Sequence, residues 1–153
     1  MVELRHITAS NFDEIIRLKA AADQTGFVST VVHSLAQAWV YRDTAFPFAV
    51  YADDVPVGFV MLGYYEARKQ YTLWKLLIDE KYQNKGYGKQ ALRLAAAYLA
   101  ETFHPEEIYT GVCQGNARAK HIYLSFGFEA TGRTEDGVEE LRYRITGNIP
   151  ENN

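Results

Sequence analysis

The chain has 153 residues, 48% of them hydrophobic and 23% charged, with a net charge of −3. That size and balance suit one globular domain with its own core, and they exclude both a disordered polar chain and a polybasic nucleic-acid binder, since no dense Lys/Arg cluster occurs. With Cys113 as the single cysteine no intrachain disulfide forms, no apolar run nears the roughly 20 residues of a membrane span, and Met1–Arg5 shows no leader pattern, so the expectation is a cytoplasmic protein with neither membrane nor nucleic-acid partner.

In chain order, residues 2–7 alternate apolar and polar, as a short strand does. Ser10-Asn11 with Glu14 predicts a helix opened by a capping box, with Phe12, Ile15, Ile16 and Leu18 as its stripe. Residues 20–30 are small and polar, a loop, and residues 34–41 predict a second helix with Leu35, Ala38 and Trp39 on one side. Residues 48–51 and 55–64 predict a hairpin about Ala52-Asp53-Asp54, with Val57, Phe59 and Met61 sharing one face. Residues 71–78 are nearly unbroken in β-forming side chains and predict a strand buried on both faces.

A long helix is expected over residues 86–103, where Leu92, Ala95, Leu99 and Phe103 recur at helical spacing before Pro105 stops it. Residues 108–113 read as a second buried strand. Asn116 then caps a helix on which Ala119, Ile122, Tyr123 and Phe126 share a face, and Gly127 ends it. Residues 128–134 and 138–145 predict a last hairpin about Glu135-Asp136-Gly137, followed by a polar tail over 146–153. The expected fold is therefore α/β (an α+β mixed sheet) in three layers, in the order β-α-α-β-β-β-α-β-α-β-β. Residues 71–113 form a central parallel βαβ unit with a right-handed crossover, and residues 1–145 form a single domain.

The turn between that buried strand and the long helix reads Gln83-Asn84-Lys85-Gly86-Tyr87-Gly88, with Lys89 next. A helix N-terminus offers about four unpaired N–H groups and roughly half a positive charge, and the glycines allow a ligand to approach the backbone closely, so a pyrophosphate is the expected guest. Three phosphate chemistries compete. A P-loop requires Gly at Gln83 and Ser or Thr at Gln90, and fails on both. A dinucleotide fingerprint is met in relaxed form by Gly86, Gly88 and Ala91, but the next strand ends at Cys113-Gln114 without the acidic ribose partner. Only 65 residues follow Gly88, too few for the remaining sheet and a substrate site. Coenzyme A is the third.

Here the turn resembles the Gln/Arg-x-x-Gly-x-Gly/Ala loop of the GNAT superfamily of N-acetyltransferases. Residues 116–128, Asn-Ala-Arg-Ala-Lys-His-Ile-Tyr-Leu-Ser-Phe-Gly-Phe, are similar to that family's second motif, and the resemblance covers nearly the whole chain. It implies a fold of this type and acetyl-coenzyme A as co-substrate, with transfer to a primary amine. It further implies that residues 83–89 (Gln83, Asn84, Lys85, Gly86, Tyr87, Gly88, Lys89) hold the pyrophosphate. Leu76, Leu77 and Ile78 would offer backbone groups to the pantetheine, Asn116 and Lys120 would contact the cofactor, and Tyr123 would protonate the departing thiolate. A phenol near pH 10 is chemically able to protonate a thiolate near 8.5. The bare reading of Tyr123 is an amphipathic core residue, and that of the glycine turn a simple strand-to-helix connection.

The general base is missing from its usual place. Many relatives carry a carboxylate on the strand that here reads Leu73-Trp74-Lys75-Leu76-Leu77. A water relay, a carboxylate from another loop (Asp23 or Glu66), Lys75 with a depressed pKa, or deprotonation in bulk water remain as routes; Lys75 snorkelling to an edge is the bland reading. Asp23–Val28, the helix after it and residues 76–83 look like the bacterial diamine and spermidine/spermine branch. That branch implies a small polyamine or diamine acceptor, with Asp23, Glu66 and Asp79 as acidic partners and Trp39 or Trp74 as an aromatic one. Trp74 is the aromatic kept as an acceptor contact. Two alternatives stand beside this: an acyl-coenzyme A sensor or assembly module without chemistry, and an acetyltransferase acting on a protein or peptide amine. His6, His33, His104 and His121 show no ligand spacing, so no metal is expected, and Cys113 reads as inert packing. Homodimers are common among similar proteins.

Overall fold

The computed structural model describes residues 1–147 and 149. The elements are β1 (Val2–Arg5), α1 (Phe12–Ile15), α2 (Val31–Val40), β2 (Ala45–Ala52), β3 (Val55–Tyr65), β4 (Gln70–Ile78), a 3-10 turn (Glu80–Tyr82), α3 (Tyr87–Phe103), β5 (Glu107–Cys113), α4 (Ala117–Phe126), β6 (Glu129–Glu135) and β7 (Val138–Arg144). Their order is the one the periodicities predict. One seven-stranded sheet runs β1-β2-β3-β4-β5-β7-β6. Among the described residues only β4 and β5 pair in parallel, joined by α3.

Two apolar layers cover the sheet. On one face α3 and α4 bury Leu92, Ala95, Ala96, Leu99 and Tyr123 against Val50, Val60, Leu62, Leu73, Ile108 and Leu141. On the other, Ile15, Val31 and Ala38 cover Ala49, Tyr51, Phe59 and Met61. Fully burying one such side chain contributes about 1.5–3 kcal/mol. Both short hairpins turn through residues of positive φ, Asp53-Asp54 (47° and 68°) and Asp136-Gly137 (51° and 75°), the handedness that matches strand twist.

Local expectations fail where tertiary contacts override them. No capping box forms at α1: the Asn11 side chain instead accepts from the Thr8 amide and donates to the His6 carbonyl, and the helix is a single turn. Helix α2 starts earlier than expected because Thr30 caps it, and Trp39 points outward, 71% exposed, while Val31, Ser34 and Ala38 face the sheet. Val57 does not share a face with Phe59 and Met61. The β2–β3 register passes from Val50↔Gly58 to Tyr51↔Pro56, leaving Val57 unpaired at a bulge that turns it to the α3 face. Of the predicted tail, residues 148 and 150–153 lie outside the described residues, while Ile149 packs on the larger core. No helix among the described residues is long and apolar enough to cross a membrane.

Strand β4 departs most from expectation. Only Leu73 and Leu77 are buried, and β5 leaves its side halfway along. Parallel pairing is confined to Tyr71↔Ile108, Thr72↔Tyr109 and Leu73↔Thr110. Beyond that, β5 stays with β7 as far as Cys113↔Val138. Gly111 permits that path: a Cβ there would meet Val138 Cγ1 at 2.7 Å, so the glycine lets β5 lie tight against β7 and away from β4.

Candidate active site

The diverging halves of β4 and β5 open a cleft of about 390 Å³. Residues 72–78 form one wall and 111–113 the other; Asn116, Ala119 and Tyr123 from α4 lie on one side and Gln24, Phe27, Val28 and Ser29 from the α1–α2 loop on the other. A second cavity of about 520 Å³ adjoins it, walled by Ile78, by residues of the 82–89 turn and by Ala117, Arg118, His121 and Ile122 of α4.

A second bulge decides which backbone groups of β4 face the cleft. Met61 pairs with Lys75 and Leu62 with Leu73, so Trp74 is the extra residue. The Leu77 carbonyl turns toward β3, where it would lie 2.5 Å from a Cβ on Gly58. Polar groups alternate sides along a strand, so those of Leu76 and Ile78 turn to the open edge. Of the three residues expected to serve a ligand through their backbone, Leu76 and Ile78 therefore turn their polar groups to the cleft, whereas Leu77 lines it but turns its carbonyl to β3. The Ile78 carbonyl already accepts from Gln83 Nε2 at 2.6 Å.

The turn that follows is built to leave amides free. Asn84 and Gly86 have positive φ, 63° and 81°, and Gly86 occupies the N-cap of α3 with no side chain to cover the first helical N–H groups. The amides of Tyr87, Gly88 and Lys89 thus lack intrahelical acceptors, and all three residues line the second cavity. Lys85 and Lys89 are exposed there. Arg118, which the sequence reading gave no role, lines both cavities; its Nη2 donates to Gln83 Oε1 at 2.5 Å and approaches Asn84 Oδ1 at 3.4 Å. Its signal was present as the third residue of the Asn116 motif. A turn of uncapped amides flanked by three cations and continuous with an apolar cleft fits a diphosphate attached to a long uncharged arm.

Tyr123 is buried in the cleft wall, its ring edge-on to Phe128 with centroids 5.7 Å apart. Burial pushes its phenol above the ordinary range, partly offset by the Thr110 hydroxyl beside it. It therefore keeps its proton at neutral pH and can serve as an acid. The Thr110 hydroxyl in turn donates to the Leu73 carbonyl at 3.0 Å, at the last paired rung before the cleft. Asn116 is buried and its side chain accepts from the Ala119 amide, so it caps α4 as well as lining the cleft. Cys113 is half-buried and lines the cleft.

Other expected residues sit elsewhere. Lys120 is paired with Glu139 at 3.0 Å and lines neither cavity. Asp23 and Glu66 are exposed and outside both linings, Glu66 in the β3–β4 turn. Asp79 is buried and spent on structure, accepting from the Lys19 and Lys81 amides at 2.9 Å each, which pins the start of the α1–α2 loop to the end of β4. Trp39 stacks under Arg42 away from the cleft, whereas Trp74, 36% exposed, lines it. Lys75 neither snorkels to an edge nor lies in the core: it reaches into the cleft and donates to Ser29 Oγ at 2.7 Å. Burial lowers its pKa. No Asp or Glu is among the described residues lining the cleft between β4 and β5.

Comparison with known proteins decides the family. The model of the acetyltransferase (GNAT) family matches residues 12–128. The chain belongs to the acetyltransferase (GNAT) family. Among its relatives, the spermine/spermidine N(1)-acetyltransferase of Bacillus subtilis (strain 168) is 28% identical over 149 residues, covering 92% of this chain and 95% of that one. The uncharacterized N-acetyltransferase YbbJ of the same organism is 30% identical over 145 residues, covering 89% and 90%. The spermidine N-acetyltransferase of Vibrio cholerae, solved with CoA and spermine, superposes with a TM-score of 0.73 at 18% identity, covering 94% of this chain and 95% of that one. This GNAT chain thus shares both its fold and its strand order with acetyltransferases of known structure.

Proposed function

We propose that this GNAT protein transfers an acetyl group from acetyl-coenzyme A directly to a primary amine of a small polyamine or diamine. The observation that carries this reading is the cleft between β4 and β5, which runs from an anion-binding turn at one end to an open pocket at the other. The polyamine class is supported by the named activities of the B. subtilis and V. cholerae relatives.

Bound acetyl-coenzyme A would supply the activated acyl group. The free amides of residues 87–89, with Lys85, Lys89 and Arg118, would hold its diphosphate. The backbone groups of Leu76 and Ile78 on the open edge of β4 would align its arm, as an added strand does. Tyr123 would donate its proton to the departing thiolate. The acceptor would enter from the α1–α2 loop side, past Phe27, Ser29 and Trp74.

Incubation with acetyl-coenzyme A and a panel of spermine, spermidine, short diamines and lysine-containing peptides tests this. Release of free thiol with the polyamines is expected. Release only with peptides moves the acceptor to a protein amine, and binding without release with any amine supports an acyl-coenzyme A sensor, a reading favoured by the lack of a carboxylate in the described lining. We further take residues 1–145 as the single catalytic domain, supported by the one continuous sheet, and a cytoplasmic setting, supported by the free thiol Cys113. A homodimer is the assembly we propose, supported by the exposed Val32, Trp39, Val40 and Tyr41 on α2 and its end; sedimentation at equilibrium checks it.

A further inference from the structure

An amine attacks a thioester only as its free base, and a primary aliphatic amine with a pKa near 10.4 is almost wholly ammonium at neutral pH. The cleft offers no carboxylate among its described lining residues to take that proton. It offers an ammonium instead. Burial works against the charge on Lys75, and two contacts work for it: its Nζ donates to Ser29 Oγ at 2.7 Å and lies 5.7 Å from the Trp74 ring centroid. The other titratable groups of the lining are Cys113, Tyr123 and Arg118, the last tied to Gln83; opposite Lys75 on β3 stands Met61, on the facing loop Asp23 points to solvent, and Asp79 further along β4 is engaged by two amides.

We propose that Lys75 is a fixed positive charge that makes the acceptor pocket reject an ammonium and admit its free base. This rests on the reading of the cleft as an amine acetyltransferase site. A like charge about 5 Å away, at an effective dielectric of about 20, shifts the ammonium-to-amine ratio on the order of a hundredfold. The acceptor leaves one proton with solvent as it enters. Its nitrogen forms the new bond to the acyl carbon and loses a second proton to water, while the carbon–sulfur bond breaks and the thiolate takes a proton from Tyr123, which is refilled from solvent. The fixed charge on Lys75 takes over what a carboxylate base would otherwise do, and the rest of a polycationic acceptor projects outward, away from Lys75.

The test compares the wild-type protein with Lys75→Arg, which keeps the charge and cannot accept a proton, and with Lys75→Met and Lys75→Gln, which remove it. Two readouts are taken: the pH profile of kcat at saturating amine, which reports ionisations in the bound complex, with whichever amine the wild type acetylates, and the protons released when spermidine binds the protein loaded with coenzyme A, from calorimetry in two buffers of different ionisation enthalpy. Loss of the charge should move the acid limb upward by about one to two pH units, and wild type and Lys75→Arg should release close to one proton per amine near pH 8 while the neutral variants release fewer. Using both neutral variants, with thermal melting, guards against one that fails to fold. A Lys75→Arg variant that loses turnover as completely as Lys75→Met would make Lys75 a proton acceptor and overturn the proposal. Neutral variants matching the wild type in profile and proton count would overturn it as well. Spermidine binding with proton release but no turnover would sink the enzymatic reading alone and leave the role of Lys75 standing.

Discussion

Gln83 ties three elements together: its Nε2 donates to the Ile78 carbonyl at the end of β4, and its Oε1 accepts from Arg118 of α4. The side chain at the entry of the 83–89 turn is thus a brace that fixes where the turn sits relative to the open strand edge. Gln83→Ala removes both bonds and frees Arg118. Each lost bond costs about 0.5–1.5 kcal/mol, more where a charged partner is involved. The expected result is acetyl-coenzyme A affinity weakened by roughly 10-fold or more, with turnover at saturation less affected; calorimetric titration and steady-state kinetics check it.

Gly86 and Gly88 differ in what they tolerate. At Gly86, φ is 81° and a Cβ would find only Gln90 Nε2 at 3.9 Å, so the cost of Gly86→Ala is the left-handed backbone itself. That is about 1–2 kcal/mol, read as a lower denaturation midpoint in urea. At Gly88 a Cβ would make ordinary 3.8 Å contacts with Ile78 and Ile122, so Gly88→Ala should keep its stability. If residue 88 lies against the diphosphate, the same variant binds coenzyme A more weakly.

Gly58→Ala is expected to be the most damaging of the glycine substitutions. A Cβ there would lie 2.5 Å from the Leu77 carbonyl oxygen and 2.8 Å from Ile78 Cδ1, so β3 and the cleft half of β4 must separate. Overpacking of this kind costs about 1–3 kcal/mol. Melting should fall and activity should fall with it, because the displaced segment carries the open edge.

Much of this arrangement was legible in the residues. The helical spacing of Leu92, Ala95 and Leu99, the cap at Asn116 and the Asp136-Gly137 turn are local signals, and the structure follows them. The two bulges were not legible, because the residue left over at Val57 or Trp74 is fixed by pairing with a strand distant in sequence. A continuous β-forming run hid the divergence of β4 from β5, since Gly111 accounts for it only once Val138 is seen beside it. Among the candidate site residues, the glycine turn and Tyr123, which line the two cavities, were singled out by motif. The contact of Arg118 with Gln83 needed the fold, as did the structural use of Asp79. Lys75 stood out as a charge in an apolar strand, and only the Ser29 contact gives it a direction.

Tyr123 carries a pH signature. Burial raises its pKa above the ordinary 10.0, so the folded protein holds the phenolic proton more tightly than the unfolded chain. The sign follows: the stabilisation is present in full below the unfolded value and disappears as pH rises through the folded one. Urea denaturation from about pH 9 to about pH 11 should show the wild type losing stability more steeply than Tyr123→Phe. At neutral pH the same variant should bind acetyl-coenzyme A normally and turn over about 10²–10⁴-fold more slowly. Equal turnover would remove Tyr123 from the acid role.

Amide chemical-shift mapping with coenzyme A is the most direct probe of the donor site. Backbone signals of residues 84–89, Leu76 and Ile78 should move on titration while those of the exposed face of α2 stay still. Saturable shifts confined to some other surface, or none at millimolar ligand, would contradict a donor held by the Gly86 turn and the free edge of β4.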